Sequence, residues 1–99
     1  MSRLIEGHFR RLVRALPPET ATLLLLLAAA PSDDTGTMWR AAGRLGLSAR
    51  AVRPAVTAGV LDRDTPTAFR HPLIRSTVYA GAEPGERRRV HAALAAVCD

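Results

Sequence analysis

The chain has few side chains that do chemistry: three histidines (His8, His71 and His91), one cysteine (Cys98), and 14 basic residues, all of them arginine. One histidine stands in a suggestive place. In Phe69-Arg70-His71-Pro72-Leu73-Ile74-Arg75 a short β-prone stretch ends and a helix begins. Proline suits the first helical position, where its missing N–H is no loss and its fixed φ helps. His71 then falls at or just before the N-cap, beside backbone N–H groups that favour an anion. Two roles fit that place equally: a cap hydrogen-bonded to backbone, and an anion contact. No other catalytic or ligating pattern accompanies it. The histidines lie far apart and no Cys/His spacing suits zinc, so no metal site is expected. Gly43 and Gly46 do not make a phosphate loop. No catalytic group is named and no enzymatic activity is expected. The single penultimate thiol builds no disulfide framework and fits a reducing cytoplasm.

The arginines suggest partners without naming one. The net charge is +5, but basic charge alone does not establish nucleic-acid binding. Arg50 and Arg53 are the candidate DNA contacts, on a segment poor in Asn and Gln and devoid of Lys. A base-reading helix usually offers several such polar groups. Arg87-Arg88-Arg89 reads as a solvated helix face, because like charges in sequence fan around a helix. His8 and His91 fall on polar faces, and Trp39 reads as a core anchor.

The elements that must position these groups follow from periodicity. Ile5, Phe9, Leu12, Val13 and Leu16 form one stripe, giving an amphipathic helix over 3–15. Pro17-Pro18-Glu19 ends it and starts a second, over about 18–30. Five consecutive leucines, Leu23 to Leu27, make that helix apolar nearly all round, so it should be the most buried. Pro31 to Gly36 is a turn by composition. A helix over about 36–44 follows, with Met38, Trp39, Ala42 and Leu45 inward and Gly46 at C′. Ser48 is the expected N-cap of a helix over about 49–58, which Pro54 should kink or shorten before Gly59 ends it. Helix, short turn with glycine, helix is helix-turn-helix spacing. Val60 to Arg63 and Thr67 to Arg70, around Asp64-Thr65-Pro66, read as two short strands of a hairpin, in the position of a wing. A helix over 72–81 places Leu73, Ile74 and Val78 inward, and Pro84 opens the last helix, with Val90, Ala93, Leu94 and Val97 as its core stripe.

The expected fold is therefore mainly α: a winged helix-turn-helix with a short two-stranded hairpin and flanking N- and C-terminal helices. Residues 1–99 form a single domain: a leading helix over 1–16, helix-turn-helix plus wing over 17–70, and two C-terminal helices over 71–99. The leucine run behind basic residues resembles a secretory signal peptide. Pro17, Pro18 and Glu19 separate the arginines from it, however, and it is too short to span a bilayer. A buried core helix and no membrane association are expected.

Several blocks recur here in one order: Leu16-Pro17-Pro18-Glu19-Thr20, Leu23 to Ala30, Trp39-Arg40-Ala41-Ala42, Ala58-Gly59-Val60-Leu61, Phe69 to Ser76, Val78-Tyr79, and Glu86-Arg87-Arg88 with His91 to Ala95. They resemble the segment after the ATPase core in large ATP-binding LuxR-type regulators, actinobacterial transcription factors, and the resemblance covers nearly the whole chain. It implies the winged-helix domain of a STAND signal-transduction ATPase, a cytoplasmic piece of a regulator. Its partners would be the nucleotide-binding domain and helical repeats of the same parent chain. DNA would be bound indirectly, through a C-terminal domain that this sequence does not contain, as it does not contain Walker motifs. The resemblance gives His71 a role toward ADP or ATP in the parent: contact with the β-phosphate of ADP, holding a closed state. The rival expectations are a free-standing winged-helix DNA-binding protein and an interaction or dimerisation module.

Overall fold

The leucine run decides the architecture. A computed structural model of the chain describes residues 2–30 and 34–97, and of residues 2–6 and 9 the backbone alone. The described residues form six α-helices: α1 (Ser2–Arg14), α2 (Pro18–Ala29), α3 (Thr35–Arg44), α4 (Val52–Thr57), α5 (Pro72–Gly81) and α6 (Pro84–Val97), with one turn of 3-10 helix at Ala49–Ala51 before α4. All five leucines of α2 are buried. A helix apolar on every side needs neighbours on every side. Accordingly α3, α4, α5 and α6 all pack on α2, while α1 packs on α5 and α6 also lies on α3. Met38, Ala42, Ile74, Val78, Val90, Ala93 and Leu94 complete the core from the expected inward positions. Trp39, Leu45 and Val97 are half-buried against it, as are Leu12, Val13 and Leu16. Ile5, Phe9, the turn residues Pro31 to Asp33, and Cys98 lie outside the described side chains.

Local chemistry sets the helix ends. Asp34 caps α3, its carboxylate accepting from the Thr37 backbone N–H at 3.0 Å and the Thr37 hydroxyl at 2.6 Å. Those two bonds hold its carboxyl below the ordinary 3.8, with a smaller pull from Arg40. Gly46 and Gly59 end α3 and α4 at φ +73° and +79°. In each case paired 6→1 and 5→2 bonds close the helix: Leu47 N–H to Ala42 O with Gly46 N–H to Gly43 O, and Val60 N–H to Ala55 O with Gly59 N–H to Val56 O. This is the Schellman arrangement that glycine permits by adopting positive φ. Ser48 precedes the 3-10 turn without a side-chain cap bond, a departure from its expected role. Pro54 shortens the element as its chemistry requires. The segment starts as 3-10 helix, and α4 runs six residues with Pro54 in its first turn, where the lost N–H matters least.

The expected two-stranded wing does not form. Among the described residues there are no strands, and a single antiparallel bridge pairs Leu61 with Phe69. It is flanked by Asp62 N–H to Ala68 O at 2.9 Å and Arg70 N–H to Val60 O at 3.0 Å. The loop between spends its polar groups locally. The Asp62 carboxylate accepts from Asp64 and Thr65 N–H, and Ala68 N–H bonds Thr65 O. Such Asx and turn bonds compete with a ladder for the same donors. The start of α5 at Pro72 leaves no room to extend the pairing beyond Arg70.

Candidate functional site

The backbone at His71 is extended, with φ −146° and ψ 137°, and the chain enters α5 at Pro72. The His71 Nδ1 accepts from Leu73 N–H at 3.1 Å, and its carbonyl accepts from Ile74 N–H at 3.0 Å. The first helical position is proline and has no N–H. The outward-facing backbone donors expected at this helix end are therefore largely engaged by His71 itself. The cap also fixes the ring. An acceptor Nδ1 in a neutral imidazole places the proton on Nε2. That Nε2–H is on an exposed side chain and meets no partner among the described residues. One residue thus caps with one nitrogen and presents an oriented donor with the other, at the positive end of a helix dipole.

The surroundings are open. A hollow of about 360 Å³ lies beside this helix start, with Met38, Phe69, Pro72 and Arg75 in its lining, and His71 is outside it. Arg70 is exposed next to His71, and its guanidinium lies over Gly59, where an added Cβ would stand 3.6 Å from it. Arg75 turns inward. Its Nε donates to Ala28 O and its Nη2 to Ala30 O, both at 3.1 Å. The α2 C-terminus, which has no basic residue of its own in the last turn, is thereby capped from α5.

Arg50 and Arg53, the candidate DNA contacts, are exposed, one on the 3-10 turn and one on α4. Among the described residues no hydrogen bond or ion pair connects them to each other or to His71. The arginine triplet is not uniformly solvated. Arg87 donates to Tyr79 O at 3.1 Å, at the end of α5, and sits 5.6 Å from the Tyr79 ring centre. Arg89 pairs with Glu86 at 3.7 Å, and Arg88 is exposed. His91, read as solvated, is exposed but shares a 2.8 Å hydrogen bond with the Tyr79 hydroxyl. The capping roles of Asp34, Arg75 and Arg87 escaped the sequence reading. An Asp three residues before Thr37 at a helix start was a legible capping signal for the first. Arg75 and Arg87 cap helices other than their own, which no local pattern shows.

Among the described residues no group of His, Cys, Asp and Glu is placed to hold a metal ion, and no helix is long and apolar enough to cross a membrane. Comparison with protein-family models, curated proteins and solved structures finds no match.

Proposed function

We propose that the chain is the regulatory module of an ATP-binding LuxR-type transcriptional regulator, cytoplasmic and non-enzymatic, with a winged-helix order of elements but without a two-stranded wing. It packs on the nucleotide-binding domain of the parent and reports whether ADP or ATP is bound there. One observation carries the reading: the Nδ1 cap on Leu73 leaves His71 Nε2–H exposed and oriented. A donor so placed suits a phosphate oxygen, and the open surface around it suits a pocket whose other walls come from a neighbouring domain. Capping and sensing are then complementary uses of one ring. The exposure of Arg50 and Arg53 favours duplex binding as the second reading, weakened by the six-residue α4, too short to follow a major groove far. Mixing the chain with the parent's nucleotide-binding domain tests the proposal. Co-elution in ADP and separation in ATP supports it; equal behaviour in both nucleotides refutes nucleotide sensing.

A further inference from the structure

The C-terminal half of α5 borders a second candidate site. Together with α1, α2 and the start of α6 it encloses an open cleft of about 760 Å³, within the roughly 300–1,000 Å³ of small-molecule sites. The walls are apolar: Val13 and Leu16 on one side, Leu25 from α2, Val78 and Ala82 on the other. Apolar contact is not the whole of what the cleft offers. Thr77 lines it, is 7% exposed, and makes no hydrogen bond from its hydroxyl to another described residue. That hydroxyl is not among the buried unpartnered polar atoms, so it is open to the cleft and offers a hydrogen-bond donor there. At the rim, Arg10 and Arg14 are exposed and engage no described residue. The third rim arginine, Arg89, is already held by Glu86, and Glu83 stands beside them.

We infer that this cleft binds an amphipathic monoanion, an apolar chain ending in a carboxylate. The chain lies along Val13, Leu25 and Val78, the Thr77 hydroxyl donates to an oxygen of the ligand, and Arg10 and Arg14 hold the charged end. Three arginines against Glu83 and Glu86 leave the rim net positive, which favours an anionic head over a cationic one, and the two carboxylates repel a second negative charge on the ligand. The site is independent of the nucleotide reading of His71.

The test uses the 99-residue chain with decanoate, decanol and decyltrimethylammonium as probes, each below its micelle concentration, followed by amide NMR. Decanoate should shift the amides of Thr77, Val78 and Ala82 and bind about tenfold more tightly than decanol, as a charge-assisted contact implies. Arg10→Ala with Arg14→Ala changes two exposed side chains, and its unperturbed spectrum will show that it folds. That double variant should bind decanoate about tenfold more weakly while binding decanol as before. Thr77→Val keeps shape and removes the donor, and should weaken decanoate binding as well. Absence of shifts at the cleft with millimolar decanoate overturns the inference. So does equal affinity for all three probes, or full decanoate affinity in the double arginine variant.

Discussion

Replacing Arg75 with alanine removes two charge-assisted hydrogen bonds from the end of the most buried helix. The Ala28 and Ala30 carbonyls each lose a guanidinium donor at 3.1 Å, and Ala30 is 3% exposed, so water reaches it poorly. A hydrogen bond to a charged group is worth about 1.5–3 kcal/mol, and a cation at a helix C-terminus adds about 0.3–1 kcal/mol. Arg75 is itself half-exposed, and solvent screening takes back part of both. The expected loss is about 2 kcal/mol for Arg75→Ala. Arg75→Lys should lose about half of that, since an ammonium cannot serve two carbonyls in the fork geometry of a guanidinium. Urea unfolding followed by circular dichroism measures it: the midpoint should fall at constant m-value. The melting temperature should drop by about 4–8 °C per kcal/mol lost. If Arg75→Ala unfolds within about half a kcal/mol of wild type, the tie between α5 and α2 contributes nothing and the reasoning is wrong.

Leu27→Ala and Leu94→Ala should each cost about 2–5 kcal/mol in chemical denaturation, because both leucines are buried in the core. Losses under about half a kcal/mol would contradict that burial. Asp34 has a lowered carboxyl, so its stabilising contribution is present above the unfolded-state value and is lost as pH falls through the lower folded-state value. Asp34→Asn keeps an N-cap but removes this linkage. Its stability should therefore fall less steeply than wild type's below about pH 4, and identical acid limbs would refute the assignment. Selection from random duplexes at physiological salt should enrich no motif; a motif that Arg50→Ala or Arg53→Ala abolishes would reverse the ranking of the two functional readings.

The helices were legible in the sequence where one chain segment carries its own instructions. Pro17-Pro18 and Pro84 open helices, Gly46 and Gly59 close them, and the leucine run marks the central one. Each signal acts through a few neighbouring residues. The wing was misread because two short strand-like stretches, Val60 to Arg63 and Thr67 to Arg70, say nothing about how Asp62 will spend its carboxylate, and its Asx bonds limit the pairing to one bridge. At the candidate site, proline after His71 gave away the helix start and the cap. It gave no hint that Arg75 would reach residues 47 and 45 positions away. Arg87 and His91 were read as solvated for the same reason. Their shared partner, Tyr79, is brought close by the α5–α6 turn, and a helical wheel of α6 alone cannot show it.

The most direct test of the account separates the two nitrogens of His71. Serine at position 71 keeps the N-cap and removes the Nε2 donor, whereas glutamine keeps a donor and is a poor cap. In the parent regulator, ADP dissociation and basal reporter output should both rise in His71→Ser, although the fold is as stable as wild type. His71→Gln should retain ADP more nearly as wild type does, with a domain destabilised by about 0.5–2 kcal/mol. If His71→Ser releases ADP at the wild-type rate with unchanged basal output, His71 is a helix cap alone and the proposed nucleotide sensing is wrong.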